Sequence, residues 1–281
     1  MTKIIDGQKL AKEIKDDLVK KIVKLNGKRP NLAIVLIGER EDSMLYVKLK
    51  EKEAKKVGID THLYKCSEST TEKEIIETIK YLNKDKIING ILIQLPLPKK
   101  FNTDKIIREI NPNKDVDCFH PDNLKKLNKN NKIISPVFSV VLYILNDINY
   151  NFKNKNICII SNSFIFGNNL AKILKQKSAN ITIVKFNDKN LQKTTKQADI
   201  LISAIGKPKF IKKEFIKKGV IIIDIGIYKK GKKVYGDVDF NSVNKKASYI
   251  SPVPGGVGPI TIAMLFKNTF ELYKKGLSLK N

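Results

Sequence analysis

The chain has few of the residues that build metal sites and disulfide frameworks. Its 281 residues include three cysteines, two histidines and no tryptophan. Cys66, Cys118 and Cys158 lie far apart and form no Cys-x-x-Cys pair. This spacing argues against a zinc site and against structural disulfides, and it indicates a reducing compartment. We therefore expect a cytoplasmic protein whose site holds no metal.

Acidic residues and long apolar runs are also scarce. Lys and Arg number 54 against 28 Asp and Glu, a formal net charge of +26. The lysines are dispersed along the chain among many Asn and Ile residues, and no basic motif is interleaved with aromatic residues. Charge alone suggests nucleic-acid binding, but this dispersed pattern disfavours it. No run reaches the roughly 18 apolar residues of a membrane helix, so we expect no membrane partner.

Short apolar strands alternate with amphipathic helical patterns, which predicts an α/β fold with parallel sheets. The predicted strands cover residues 32–37, 61–64, 90–94, 156–160, 181–185, 200–204, 220–225 and 247–250. The predicted helices cover residues 7–25, 43–57, 72–82, 137–146, 168–176, 191–197 and 262–273. We expect two α/β domains, residues 1–136 and 137–257. The last helix, within residues 258–281, has no strand after it, so we expect it to pack back on the first domain.

A loop rich in proline and glycine, Ser-Pro-Val-Pro-Gly-Gly-Val-Gly-Pro-Ile-Thr over residues 251–261, lies between the last predicted strand and the last predicted helix. Proline fixes φ, and glycine has no Cβ, so the backbone of such a loop can approach a ligand closely. Such a loop could line a site. The alternative is a tight structural turn.

Polar residues follow two predicted strands of the first domain. Ser43, Tyr46 and Lys50 share one face of a predicted helix, because they are spaced three and four residues apart. Gln94 ends the predicted strand 90–94, just before two prolines, and its amide can both donate and accept hydrogen bonds. Alternatively, Ser43, Tyr46 and Lys50 form the solvent-exposed face of an amphipathic helix, and Gln94 ends an edge strand that two prolines terminate.

The segment Lys-Asp-Val-Asp-Cys-Phe-His-Pro over residues 114–121 places two carboxylates and a histidine in one loop. A carboxylate in a pocket could accept hydrogen bonds from two N–H groups of a heterocyclic ligand. The alternatives are helix capping near Pro121, surface charge and metal binding.

The loop after predicted strand 156–160 occupies the place of a dinucleotide-binding fingerprint, although only Gly167 remains of its glycines. Ser161, Asn162 and Ser163 could bind phosphate there, near a helix N-terminus. Gly206 and Gly226 follow two further predicted strands. Because the carboxyl ends of parallel strands meet at one edge, these turns favour a ligand cleft at that edge.

In order along the chain, these motifs resemble the bifunctional methylenetetrahydrofolate dehydrogenase/cyclohydrolase family. The resemblance rests on Ser-x-x-Tyr-Val-x-x-Lys (43–50), Gln-Leu-Pro-Leu-Pro (94–98), Lys-Asp-Val-Asp (114–117), Ser-Ala-x-Gly-Lys-Pro (203–208), Gly-Asp-Val-Asp (236–239) and Pro-Val-Pro-Gly-Gly-Val-Gly-Pro (252–259). It implies a folate-binding catalytic domain followed by a Rossmann-type NAD(P)-binding domain. The implied reactions are oxidation of 5,10-methylenetetrahydrofolate with NADP and hydrolysis of the product to 10-formyltetrahydrofolate. The implied partners are tetrahydrofolate derivatives and a second copy of the chain, in a homodimer.

The resemblance also implies the roles of individual residues. Lys50 would be the acid/base residue and Gln94 would hold it, while Tyr46 would flank the folate ring and Asp117 would bind the pterin. The implied catalytic residues are thus Lys50, Tyr46, Gln94 and Asp117. The implied substrate contacts are Ser43, Tyr46, Pro254, Gly255 and Gly256. The implied cofactor contacts are Ser161, Asn162, Ser163, Gly167, Lys185 and Ile227.

Several positions depart from the family pattern. Cys118 replaces the glycine after Asp-Val-Asp, residues 135–138 replace Pro-Cys-Thr-Pro, and residues 161–163 replace Gly-Arg-Ser. Asn162 therefore brings no charge to a 2′-phosphate, although Lys185 or Lys189 could supply one. We predict NADP as cofactor. NAD stays possible, because Asp188 lies where an acidic residue would accept from a ribose 2′-hydroxyl. The alternative function is that of a cyclohydrolase whose dehydrogenase activity is weak or lost.

Overall fold

The chain folds into two compact α/β units, seen here in a computed structural model that describes residues 1–128, 133–231 and 233–278. The strands are β1 Lys3–Ile4, β2 Asn31–Ile37, β3 Asp60–Cys66, β4 Gly90–Ile93, β5 Asn156–Ser161, β6 Asn180–Val184, β7 Ile200–Ala204, β8 Ile221–Asp224, β9 Tyr228–Lys230, β10 Lys233–Tyr235 and β11 Tyr249–Ile250. The helices are α1 Gly7–Val23, α2 Glu41–Val57, α3 Glu72–Lys84, α4 Thr103–Arg108, α5 Pro121–Lys125, α6 Pro136–Asp147, α7 Phe164–Lys175, α8 Leu191–Thr195, α9 Phe240–Val243 and α10 Val257–Ser278.

The three-stranded unit comprises residues 12–126, 133–136 and 262–278 of the described chain. Its parallel strands run in the order β3-β2-β4, and residues 114–116 continue the sheet beyond β4 through a bridge between Ile91 and Asp115. The central strand β2 is buried from Leu32 to Ile37, as expected for a parallel strand that is covered on both faces. Phe266 and Phe270 of α10 pack in the same core as Leu32. The C-terminal helix therefore packs back on this unit, as predicted.

The six-stranded unit comprises residues 1–11, 127–128, 137–231 and 233–261 of the described chain. Its parallel strands run in the order β1-β11-β8-β7-β5-β6. The chain passes from β5 to β6 on one side of β5 and then from β6 to β7 on the other side, so the order reverses at β5. A Rossmann-type sheet binds ligands outside such a reversal, at the carboxyl ends of its strands. This unit has the predicted Rossmann-like fold.

Helices α7 and α10 begin a full turn or more before the start that the sequence pattern predicts. Helix α7 begins at Phe164, not at residue 168, because the Ser163 hydroxyl caps it by accepting the Phe166 N–H at 3.2 Å. Helix α10 begins at Val257, not at residue 262, so the end of the Gly/Pro loop is helical. Pro259 is the third helical residue, where no intrahelical partner for its missing N–H is required.

Among the described residues, no helix is long and apolar enough to cross a membrane. The same residues contain no cluster of His, Cys, Asp and Glu side chains suited to a metal ion.

Candidate functional site

The helix that carries Lys50 begins just beyond the carboxyl end of β2. Gly38 adopts a φ of 78° at this turn, and Arg40 pairs with Asp42 through Nε (3.1 Å) and Nη2 (2.7 Å). Helix α2 then presents Ser43, Tyr46 and Lys50 on one face, as the spacing predicts. The Ser43 hydroxyl is buried and has no hydrogen-bond partner among the described residues. An unpaired buried hydroxyl costs free energy, which a ligand that accepts its proton would recover.

Lys50 is held by Gln94. The Lys50 Nζ donates to Gln94 Oε1 at 2.8 Å, and Gln94 Nε2 donates to the Leu95 carbonyl at 2.7 Å. The second hydrogen bond fixes the amide so that its oxygen faces the lysine. The backbone N–H of Gln94 donates to Val35, so the side chain projects from the carboxyl end of β4. The Leu95–Pro96 peptide that follows is cis.

Lys50 and Asp117 influence each other's titration. Burial lowers the pKa of Lys50, an effect that the negative charge of Asp117 partly opposes. Burial raises the pKa of Asp117 to about 6; the Lys50 ammonium opposes this rise and Asp115 adds to it. The burial of Tyr46 likewise raises the pKa of its hydroxyl, as does Asp42. Lys50 is thus prepared to exchange a proton closer to neutral pH than an exposed lysine.

The two carboxylates of the loop after residue 114 differ in what they contact. The buried Asp115 carboxylate accepts the N–H groups of Cys118 (2.9 Å) and His120 (2.8 Å) and the Asn123 amide (3.1 Å). His120 in turn caps α5 by accepting the Asp122 N–H at 3.1 Å. Within the described residues Asp117 has no hydrogen-bond partner. The capping interpretation therefore applies to Asp115 and His120, while Asp117 is available to a ligand.

Cys118 stands where the resembled family has a glycine, and its backbone adopts a conformation that glycine favours. Its φ is 56°, in the left-handed region that favours glycine. Its thiol is buried, and Asn268 Nδ2 lies 3.8 Å from Sγ while donating to the carbonyls of Val116 and Ile134 at 2.9 Å. Burial raises the pKa of the Cys118 thiol well above its usual value, so the sulfur is neutral here.

The Gly/Pro loop belongs to the six-stranded unit, whereas Ser43, Tyr46, Lys50, Gln94 and Asp117 belong to the three-stranded unit. The Val253–Pro254 peptide is cis, and Gly255 has a φ of 102°. A Cβ on Gly7 would lie 1.8 Å from the Gly256 carbonyl oxygen, so the loop is packed closely on the start of α1. Pro254 is exposed and Gly255 half-buried, while Gly256 is buried. The loop is therefore both a tight turn and an accessible backbone surface.

The serines before α7 shape the turn that would hold a phosphate. Ser161 Oγ accepts the Ser163 N–H at 3.1 Å, and the Ser163 hydroxyl caps the helix. Asn162 is exposed. A Cβ on Gly167 would lie 3.1 Å from Ile183 Cγ2, so this glycine allows close contact between helix and strand. These features fit a dinucleotide for two reasons. The N-terminus of α7 can offer backbone N–H groups to a phosphate, and Gly167 allows the close packing of helix on strand that a glycine of the dinucleotide-binding fingerprint provides.

The other predicted cofactor residues lie at the same sheet edge. Lys185 directly follows β6 and is exposed, and Ile227, which follows Gly226, is 46% exposed. The Asp188 carboxylate accepts the Asn190 N–H at 2.7 Å, so it stabilises a local turn.

Two buried aspartates that the sequence reasoning did not select organise this edge. Asp237 accepts hydrogen bonds from the Ser203 hydroxyl (2.7 Å) and from the N–H groups of Ile205 and Lys207 (2.8 Å each). Asp224 accepts the N–H groups of Gly226 (3.1 Å), Asp237 (3.1 Å) and Val238 (2.9 Å). Burial raises the pKa of Asp224 to about 7, and Asp237 adds to the effect. The Gly-Asp-Val-Asp motif was the signal that could have identified Asp237.

Comparisons with known proteins agree with the resemblance that the sequence motifs indicate. Residues 5–117 match the model of the tetrahydrofolate dehydrogenase/cyclohydrolase catalytic domain, and residues 136–277 match its NAD(P)-binding domain. The bifunctional protein FolD of Nitratiruptor sp. is 44% identical over 276 residues, which cover 97% of this chain and 98% of the relative.

Solved structures of enzymes from the same family have the same fold as this chain. The bifunctional FolD enzyme of Campylobacter jejuni has a TM-score of 0.93 at 38% identity and covers 98% of this chain and 99% of its own. A Trypanosoma brucei methylenetetrahydrofolate dehydrogenase-cyclohydrolase, solved with NADP cofactor and inhibitor, has a TM-score of 0.94 at 31% identity and covers 98% of each chain.

Proposed function

Since the chain belongs to the tetrahydrofolate dehydrogenase/cyclohydrolase family, we propose that it oxidises 5,10-methylenetetrahydrofolate with NADP and hydrolyses the resulting 5,10-methenyltetrahydrofolate to 10-formyltetrahydrofolate. It is a bifunctional enzyme, an oxidoreductase and a hydrolase of one-carbon metabolism. The observation that carries the proposal is the hydrogen bond from Lys50 to the fixed amide of Gln94, beside an Asp117 carboxylate with no other partner.

We propose that Lys50 is the acid/base residue of the hydrolysis. Water must add to the methenyl carbon and lose one proton. The hydroxyl of this adduct must then lose its proton while the bond from the carbon to N5 breaks and N5 takes up a proton, so that the formyl group remains on N10. A neutral Lys50 amine can accept the proton of the attacking water. Two observations support this role. The lowered pKa of Lys50 increases the fraction of neutral amine near neutral pH, and the hydrogen bond to Gln94 fixes the position of the amine.

We propose that Asp117, Tyr46 and Ser43 bind the substrate. The Asp117 carboxylate has free acceptor capacity for the N–H groups of a pterin edge, and such charge-assisted bonds are the stronger ones. Tyr46 lies one turn from Lys50 on α2, which places an aromatic ring beside the acid/base group. The Ser43 hydroxyl lacks a partner and can donate to a ligand. Pro254 and Gly255 offer an accessible backbone surface for the folate, and Gly256 supports it.

We propose that the carboxyl edge of the six-stranded sheet holds NADP, the cofactor with which the T. brucei relative was solved. A bound nicotinamide would supply the acceptor for the hydride of the methylene carbon. The α7 N-terminus with Ser161, Asn162 and Ser163 would bind the pyrophosphate, and Gly167 would allow that helix to approach the sheet. Lys185 would face the ribose phosphate and Ile227 would contact the nicotinamide end.

We further propose that residues 1–136 with 258–281 act as the folate-binding domain and residues 137–257 as the cofactor-binding domain, although residues 1–11 and 258–261 pack in the six-stranded unit. A homodimer is supported by β6, an edge strand of the sheet whose Ile183 is exposed, and by helix α7, whose Phe164 and Ile165 are exposed and whose Gly167 packs against Ile183. A cytoplasmic location is supported by Cys66, Cys118 and Cys158, all free thiols.

A cyclohydrolase with weak dehydrogenase activity is the second candidate, favoured by the uncharged Asn162. One assay separates the two candidates. Purified protein is mixed with 5,10-methylenetetrahydrofolate and either NADP or NAD, and both the reduced nicotinamide and 10-formyltetrahydrofolate are quantified. The proposal expects both products with NADP. Hydrolysis of added methenyltetrahydrofolate without any reduction of NADP or NAD would instead establish the cyclohydrolase alone.

A further inference from the structure

A lysine outside the predicted cofactor set lies at the carboxyl edge of the six-stranded sheet. The Lys207 ammonium lies 3.8 Å from the centroid of the Phe186 ring. Phe186 is the second residue after β6, and Lys207 is the third residue after β7. Both strands flank β5, from whose end the Ser161–Ser163 turn begins. The loops that follow the two strands thus bring a cation and an aromatic ring together beside the phosphate-binding turn.

The ring beneath this lysine is held in place. Phe186 meets Phe210 edge to face at 6.3 Å, and Phe210 meets Phe215 at 5.4 Å. All three rings pack against the core of the unit. A cation over such a ring is attracted to its negative face, so Phe186 gives the ammonium a preferred position.

The backbone of Lys207 is also fixed. Its N–H donates to Asp237 Oδ1 at 2.8 Å, while Ile205 and Ser203 donate to Oδ2. Gly206 adopts a φ of 69°, which turns the chain between these two anchored amides. Lys207 therefore extends from a rigid turn, and less conformational entropy is lost when it binds a ligand.

The positive charge at this point is not neutralised within the protein. In the described part of the chain, neither Lys207 nor Lys185 forms an ion pair with a carboxylate. The nearby Asp188 carboxylate accepts a backbone N–H in its own turn. Lys185 directly precedes Phe186, so two exposed ammonium groups belong to the segment around the ring.

We propose that Lys207, positioned by Phe186 and Asp237, binds the ribose 2′-phosphate of NADP together with Lys185 and so selects NADP over NAD. In Rossmann-type domains the group that distinguishes these cofactors lies at the end of the second strand, which is β6 here. Lysine binds phosphate as a point charge, so two lysines supply the charge that Asn162 lacks. The inference rests on the proposed dehydrogenase function.

The test measures binding of two fragments that differ in the 2′-phosphate. Isothermal titration with 2′,5′-ADP and with 5′-AMP is run on the wild type, Lys207→Met and Lys209→Met. The control removes an exposed lysine of the same segment whose ammonium lies over a different ring, that of Tyr235. We expect Lys207→Met to weaken 2′,5′-ADP binding about tenfold to a hundredfold, the range of one charge-assisted hydrogen bond. Binding of 5′-AMP should stay within about twofold, and Lys209→Met should change neither.

Further measurements test whether the variant is folded, whether the ring positions the lysine, and whether the dehydrogenase proposal stands independently of this inference. Cyclohydrolase activity and the thermal midpoint of Lys207→Met report whether the variant is folded, and both should match the wild type. Phe186→Leu, which keeps the lysine and removes the ring, should weaken 2′,5′-ADP binding by a smaller factor. Unchanged 2′,5′-ADP binding in Lys207→Met, or an equal loss for both fragments, would overturn the inference. In either case reduction of NADP by the wild type would leave the dehydrogenase proposal standing.

Discussion

Replacing Gln94 with glutamate should shift the pH dependence of methenyltetrahydrofolate hydrolysis to higher pH. In the wild type a neutral amide oxygen lies 2.8 Å from Lys50 Nζ. Gln94→Glu puts a carboxylate of nearly the same shape there, and a negative charge stabilises the ammonium form. The pKa of Lys50, which burial lowers in the wild type, should therefore rise. Because we propose that the neutral amine is the active form, the ascending limb of the profile should move with it.

The size of the shift follows from the hydrogen bond that changes. A bond to a charged partner contributes roughly 1.5–3 kcal/mol, against roughly 1 kcal/mol for a neutral one. The difference of about 0.5–2 kcal/mol corresponds to about one pKa unit, because one unit equals roughly 1.4 kcal/mol. The limb should thus move upward by about one pH unit, and the rate at neutral pH should fall by about tenfold.

The assay follows the disappearance of methenyltetrahydrofolate from pH 6 to pH 10 with the non-enzymatic rate subtracted, as roughly this window brackets a lowered lysine pKa. Gln94→Met serves as the matched control, since it keeps the length of the side chain but offers no charge. It should lower the rate by misplacing Lys50 without moving the limb upward. An unchanged profile in Gln94→Glu would refute the idea that the titration of Lys50 limits hydrolysis.

Three other changes test separate parts of the account. Asp117→Ala should weaken folate binding by about 1.5–3 kcal/mol without changing NADP binding; calorimetry showing unchanged folate affinity would exclude pterin binding by Asp117. Cys118→Val should lower the free energy of unfolding by about 1–3 kcal/mol, because a β-branched residue is strained at a φ of 56°, whereas Cys118→Gly should cost less; urea unfolding of both variants decides this. The raised pKa of Asp224 means that the folded state binds a proton which the unfolded state has already lost, so its contribution to stability falls as pH rises from about 4 to about 7. Wild type should therefore lose about 2–3 kcal/mol relative to Asp224→Asn between pH 5 and pH 8, and parallel stability curves would contradict the shift.

Much of the fold follows from the sequence because apolar periodicity records burial. The run Ile221–Asp224 is buried along its whole length in the middle of a parallel sheet, which is what its β-branched residues predict. The two-residue strand Lys3–Ile4 was not predicted, because so short a segment has no periodicity, and its partner at Tyr249 is far away in the sequence. The hairpin of β9 and β10 was missed for the same reason, as its three-residue strands are mostly polar.

The candidate site was only partly accessible to sequence reasoning. Helical spacing placed Ser43, Tyr46 and Lys50 on one face, but spacing cannot show that Lys50 reaches Gln94, 44 residues away in the sequence. The distinct roles of Asp115 and Asp117 depend on which carboxylate the loop amides bind. Lys207 was overlooked because its proximity to Phe186 arises from two loops that only the sheet order brings together.

The most direct test of the central claim is the hydrolysis of methenyltetrahydrofolate by Lys50→Met, measured together with the affinity of the variant for folate. Methionine keeps the unbranched side chain but can neither accept nor donate the proton. The account predicts that the rate constant falls by roughly a hundredfold or more, as expected for the loss of an acid/base group, while folate still binds measurably. Hydrolysis at the wild-type rate would contradict the assignment of Lys50 and with it the proposed mechanism.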